Sequence, residues 1–113
     1  MDIKKYKFGQ VTIGDVIYTR DLVIYPDKVE TSWWRDANHL VQLKDLQKIL
    51  NSPLQVLIIG TGPFNEMKIE DSVKEACDSK GIKLIIENTE KACETYNELK
   101  AQNIKVITAL HLT

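Results

Sequence analysis

Apolar and polar residues alternate with a period of two through the first quarter of the chain. The segments are Ile3 to Phe8, Gln10 to Ile13, Val16 to Tyr18 and Leu22 to Tyr25. Gly9, Gly14-Asp15, Asp21 and Pro26-Asp27-Lys28 punctuate them. Short alternating runs bounded by Gly, Asp and Pro predict antiparallel strands and hairpins. Val29 to Trp34 is a further strand candidate, weakened by Thr31 and Ser32. Leu43, Leu46, Ile49 and Leu50 then fall on one face at helical spacing, and Asn51-Ser52-Pro53 ends that helix.

After Pro53 the pattern becomes strand, helix, strand, helix, strand. Leu54 to Ile59 is almost uninterrupted apolar sequence, the mark of a strand covered on both faces. Ile69, Val73, Ala76 and Cys77 form a helical stripe that stops at Gly81. Ile82 to Ile86 reads as a second buried strand. Asn88 or Thr89 caps the next helix, whose stripe is Ala92, Cys93, Tyr96 and Leu99. Ile104 to Leu112 is the last strand. Strands separated by helices require crossover connections, so this half predicts a largely parallel sheet. The N-terminal strands must extend that sheet or lie on it as an additional small β layer. The expectation is one α/β domain over residues 1–113, with three layers: a central mixed, mostly parallel sheet, flanking helices, and the N-terminal β layer.

Composition narrows the partners. With 43% hydrophobic and 27% charged residues and a net charge of −1, the chain is too apolar and too neutral to be disordered. Residues 1–56 carry eight bases and seven acids, and residues 57–113 carry seven and nine. Neither half has the basic excess that phosphate-backbone binding needs, which argues against nucleic acid. No apolar run reaches membrane-span length, and Met1 to Tyr6 has no signal-type apolar stretch, so a cytoplasmic protein with no membrane partner is expected. Cys77 and Cys93 sit inside helical patterns with no C-x-x-C spacing, as reduced core thiols do.

Three segments are candidates for chemistry. Gly60-Thr61-Gly62-Pro63-Phe64-Asn65 follows the first buried strand and approaches a dinucleotide fingerprint. That fingerprint needs a helix starting at its glycines, so that the helix N-terminus faces pyrophosphate; Pro63 interrupts here, and no cofactor is expected. A tight turn at a strand's C-terminal end can still line a ligand crevice, with Asn65 taking the left-handed conformation. In Trp33-Trp34-Arg35-Asp36-Ala37-Asn38-His39, one tryptophan should fill the core and the other face out if the segment is extended. Arg35 either pairs with an acid or binds an anion, and His39 can transfer a proton or donate a hydrogen bond. His111 lies among apolar neighbours in the last strand, as a core residue or, if that strand runs parallel to the first, beside the Gly60–Gly62 turn. Two histidines without clustered carboxylates do not make a metal site. No serine or cysteine has a histidine and carboxylate at motif spacing, so catalytic residues remain unassigned.

Taken in order, Trp34-Arg35 with His39, Ile59-Gly60-Thr61-Gly62 with Met67, Thr89, Ala92, Tyr96-Asn97, Leu99, and Leu110-His111-Leu112-Thr113 resemble the motifs of one family. This is the uncharacterised small α/β domain (Mth938-like) shared by archaeal and bacterial proteins, mitochondrial complex I assembly factor 3 type proteins and adipogenesis-associated domain proteins. The resemblance spans almost the whole chain and implies the three-layer mixed α/β fold, with one strand of the sheet allowed to run antiparallel. It implies no catalytic residue set. The family commonly has glycine where this chain has Asn38 and Asn65, and asparagine is the best substitute at positive φ. Without a targeting extension the chain resembles the compact archaeal or bacterial members, so a mitochondrial role is not carried over.

Two functions follow. The first is a non-catalytic protein-binding or assembly module using an exposed tryptophan as anchor. The second is a site for a small anionic ligand, binding or enzymatic, at the Gly60–Gly62 turn, with Arg35, His39, Thr61 or His111. They are separated by whether Arg35, His39 and that turn converge on one open pocket.

Overall fold

The alternating segments near the N-terminus form strands where the pattern places them. In a computed structural model describing Met1–Thr113 these are β1 (Ile3–Lys7), β2 (Gln10–Ile13), β3 (Val16–Tyr18), β4 (Leu22–Ile24) and β5 (Val29–Thr31). The last of these stops short of the tryptophans because Ser32 turns into the left-handed region at φ 63°. A two-residue strand β6 (Leu40–Val41) precedes a 3-10 turn, Leu43–Leu46, that runs into the short helix α1 (Gln47–Leu50). There follow β7 (Val56–Thr61), β8 (Lys68–Ile69), α2 (Asp71–Ser79), β9 (Lys83–Glu87), α3 (Thr89–Ala101) and β10 (Val106–His111). The Asn88 side chain caps α3 by accepting from the Lys91 N–H. Ile69, expected at the start of a helix, is instead spent in β8, which pairs in parallel with β6 and delays α2 to Asp71.

Three sheets result: β1-β2-β3, the five-stranded β5-β4-β10-β7-β9, and the β6-β8 pair. The central sheet is mixed. β10–β7 and β7–β9 are parallel, whereas β5–β4 and β4–β10 are antiparallel. Parallel pairing sets His111 opposite Thr61. The strand running against the others is β4, so the histidine does end beside the Gly60–Gly62 segment.

Alternation along β7 and β10 divides the interior in two. Leu57, Ile59, Ile107 and Ala109 join Val73 and Cys77 of α2 with Leu46, Ile49 and Leu50 on one face. Val56, Ile58, Val106 and Leu110 join Ala92, Cys93 and Tyr96 of α3 and Ile3, Val11 and Ile13 of the small sheet on the other. The two crossover helices therefore cover opposite faces of β7. Asn97 of α3 fastens the small sheet, accepting from the Ile3 N–H at 3.0 Å and donating to its carbonyl at 2.8 Å. β9 departs from expectation. Its residues are half-buried or exposed, because it is an edge strand with a neighbour on one side only.

Gly60 is also not where the pattern implied. It lies inside β7, not in a turn, and its backbone is close to α3. A Cβ there would meet Leu110 Cδ2 at 2.9 Å, Thr89 Oγ1 at 3.1 Å and Ala92 Cβ at 3.3 Å. All three neighbours are fully buried, so none can retreat. Gly60→Ala is therefore expected to destabilise by about 1–3 kcal/mol through overpacking. Thr108 presents the reverse case: its hydroxyl is buried in β10 with no hydrogen-bond partner. Thr108→Val keeps the shape and removes the desolvated hydroxyl, and should stabilise by about 1 kcal/mol. Urea titration checks both, with the midpoints moving in opposite directions at unchanged slope.

Candidate functional site

The segment from Ser32 to His39 crosses the end of the central sheet as a strap without regular structure. Its first anchor is the Trp33 N–H, which donates to the Asp21 carbonyl at 2.8 Å. The Trp33 ring packs half-buried against the α1–α2 core, and its indole N–H donates to the Asp45 carbonyl at 3.2 Å. Trp34 faces out and is 81% exposed. One tryptophan in and one out is the arrangement expected of adjacent residues in extended chain.

Arg35 turns back beneath the strap. Its Cζ lies 4.4 Å from the centre of the Trp33 ring, and its side chain is almost wholly buried. Nη2 donates to Asp21 Oδ2 at 2.7 Å and to the Asn38 carbonyl at 3.0 Å. The same carboxylate oxygen lies 2.7 Å from His111 Nδ1, while Oδ1 accepts from the Leu112 N–H at 2.8 Å. Asp21 thus holds the strap to the C-terminal end of β10. Burial alone would push the Asp21 carboxyl up; the hydrogen bonds from His111, Leu112 and Arg35 outweigh it and hold the group below its usual value.

This network assigns the imidazole tautomer. With the carboxylate at 2.7 Å, Nδ1 carries the hydrogen that is donated to Asp21. Arg35 Nη2, 3.3 Å from Nδ1, is then a second donor to the shared carboxylate and not a partner of the ring. Nε2 is buried and makes no hydrogen bond, and Arg35 Nε is in the same condition. His39 is exposed and stands edge-on to His111, with ring centroids 5.4 Å apart.

The Gly60–Gly62 segment meets the cluster through Thr89. The Thr89 hydroxyl donates to the His111 carbonyl at 2.6 Å and accepts from the Gly62 N–H at 2.8 Å. Gly62 has φ 95°, and a Cβ on it would stand 3.1 Å from His111 Cδ2, so glycine is required on both counts. The Thr61 side chain points elsewhere: its hydroxyl reaches Asn65 Oδ1 at 2.6 Å and the Glu87 carbonyl at 3.1 Å. Asn65 takes the left-handed conformation, φ 56°.

Arg35, His39, His111 and Gly62 are therefore brought together, while Gly60 serves packing and Thr61 faces the β9 side. They do not share an open pocket. A cleft of about 480 Å³ lies beside the strap, bounded by Arg20, Asp21, Trp33, Trp34, Arg35 and Asn38 among others. Neither histidine nor the glycine segment lines it. An Asp–His pair can orient an imidazole for proton transfer, but here the other ring nitrogen, Nε2, is buried with no hydrogen-bond partner. No three His, Cys, Asp or Glu side chains are placed to share a metal ion. The residue that sequence reasoning missed is Asp21, visible there only as strand punctuation. Thr89 was legible as a capping candidate and as one of the residues carrying the family resemblance, but not as the link between Gly62 and His111.

Asp21→Asn removes the counter-charge of a buried guanidinium, and a loss of about 3–5 kcal/mol at neutral pH is expected. The pH dependence follows from the lowered carboxyl. Its contribution is complete above the unfolded value near 4 and is lost as pH falls through the lower folded value. Wild-type urea midpoints should fall on acidification below about pH 4, and the Asp21→Asn midpoints should fall less steeply over the same range.

Known structures share the fold. The conserved hypothetical protein PH1505 of Pyrococcus horikoshii OT3 superposes with a TM-score of 0.85 at 24% identity, over 100% of this chain and 99% of that one. A Bartonella henselae protein described as an outer membrane protein gives 0.82 at 21% identity, over 97% and 92%. A Bordetella pertussis protein described as a Mth938-like domain gives 0.71 at 19% identity, over 98% and 85%. At these identities the likeness establishes the shared fold. A family model, described as a protein of unknown function (DUF498/DUF598), matches residues 3–111, and the chain belongs to that family.

Proposed function

We propose that the chain is a non-catalytic protein-binding module whose contact surface is built around Trp34. The observation that carries this reading is an 81% exposed indole on a strap fixed from below by a buried ion pair. A tryptophan held out in water on a rigid support offers large contact area at little entropic cost on binding. The adjoining cleft supplies polar groups for a rim, and Arg20 within it is exposed and enters none of the ion pairs of the chain. The fitting partner is a protein segment that lays an apolar side chain on the indole and brings a carboxylate to Arg20. The resemblance to assembly-factor proteins points the same way. Two buried free thiols, Cys77 and Cys93, suit action in the cytosol.

The anionic-ligand reading of Arg35 is the weaker one on physical grounds. The guanidinium is already neutralised by Asp21, so an anion there would have to displace a carboxylate that also holds His111 and Leu112. The alternative would need to repay that whole network.

A photo-reactive residue at exposed position 36, in the cleft beside an intact Trp34, compared with one at exposed Glu98 on α3, tests the proposal in the native cell. One predominant adduct is expected at position 36 and not at 98, suppressed by excess wild-type chain. The Trp34→Ala chain should fold with stability within about 0.5 kcal/mol of wild type and fail to suppress the adduct. Equal labelling at both positions, or suppression by Trp34→Ala, would overturn the reading.

A further inference from the structure

A second cleft, of about 340 Å³, opens on the other side of Thr61, at the carboxyl ends of β7 and β9. Its polar lining is Thr61, Asn65, Lys68 and Lys74, and it contains no acid. Met67 and Ile86 provide apolar wall, Ile86 being 39% exposed although it sits in a strand. Ligands of open α/β sheets bind beyond the carboxyl ends of parallel strands, and this volume lies within the range of small-molecule sites.

The lining has unused binding capacity. Lys68 belongs to no ion pair, and the one ionic contact of Lys74 is Asp71 at 3.9 Å, a carboxylate 91% exposed to water. The nearby Glu70 carboxylate is engaged by Gln42 Nε2 at 3.3 Å and Ser72 Oγ at 2.9 Å. Asn65 gives its Oδ1 to the Thr61 hydroxyl, and no hydrogen bond of the chain uses its Nδ2. Its left-handed backbone holds that amide at the cleft. Lys68 is held by its backbone, which pairs with β6 and donates to the His39 carbonyl at 2.8 Å. The site therefore offers two ammonium groups and a free carboxamide beside a short apolar wall.

We infer that this cleft binds a small organic phosphate monoester, with Lys68 and Lys74 on the phosphate and the carbon body against Met67 and Ile86. Two ammonium groups and an amide supply positive charge and hydrogen-bond donors for a phosphate, and the apolar wall favours an organic ester over the inorganic ion. The inference is independent of the Trp34 surface, since the two clefts share no lining residue.

Amide chemical-shift titration of the intact chain tests it, with phenyl phosphate, inorganic phosphate and sodium chloride at matched ionic strength. Phenyl phosphate should give saturable shifts at Thr61, Asn65, Lys68 and Lys74, with inorganic phosphate weaker and chloride without saturable effect. The Lys68→Gln/Lys74→Gln chain should weaken phenyl phosphate by about tenfold or more. Lys80→Gln/Lys91→Gln, which removes two exposed lysines elsewhere, should leave it unchanged. Both lysines of the cleft are exposed, so the double variant is expected to fold, and its unchanged amide spectrum away from the cleft verifies this. Linear shifts without saturation, equal effects at surface lysines generally, or full binding by Lys68→Gln/Lys74→Gln would overturn the inference. Trp34→Ala should bind phenyl phosphate as wild type does, which keeps this outcome separate from the fate of the protein-binding reading.

Discussion

A guanidinium taken out of water must find its compensation inside the protein, and at Arg35 that requirement organises one whole end of the molecule. Asp21 neutralises it from the entrance of β4. The same carboxylate collects the His111 imidazole and the Leu112 N–H from the end of β10, while the Asn38 carbonyl takes a second Arg35 hydrogen. Loop, strand entrance and strand exit thereby share one charge centre. Such a pair contributes less net stability than its Coulomb attraction suggests, because both ions were desolvated to make it. What it supplies is position: with Arg35 fixed, Trp33 is stacked inward and Trp34 is held outward.

That arrangement explains why candidate residues can converge without forming a conventional active site. His111, Gly62 and Arg35 meet where an open α/β sheet usually receives its ligand, between the carboxyl ends of β7 and β10. The protein has filled that place with its own carboxylate. The open surfaces lie to either side of it, the cleft with the exposed indole on one flank and the lysine-bearing cleft beyond Thr61 on the other. Lys68 and His39, joined through the β6–β8 pairing, are the backbone connection between them.

Much of the framework was legible from periodicity. The apolar run of β7 predicts a strand covered on both faces, and every one of its residues is buried. The stripes of α2 and α3 likewise identify the residues that reach the two cores. What periodicity cannot carry is anything decided by a single residue meeting a distant one. Asp21 and His111 are ninety positions apart, and neither neighbourhood signals the other. The β6–β8 pair is two residues long, too short for any period, so Ile69 read as helix. β9 read as a buried strand because of its apolar content. Its place at an edge depends on sheet order, which local sequence does not encode.

β10 follows every other strand of the central sheet along the chain, yet it lies in the middle, between β4 and β7. Without it the sheet is two separate pairs, β5–β4 and β7–β9, each with an unpaired flank. Local hairpins and α2 can form early, but the final register must wait for residues 106–111 to insert between partners made long before. The His111–Asp21 contact at the far end of that strand spans the β4–β10 pairing, so it forms only where β10 is seated in register.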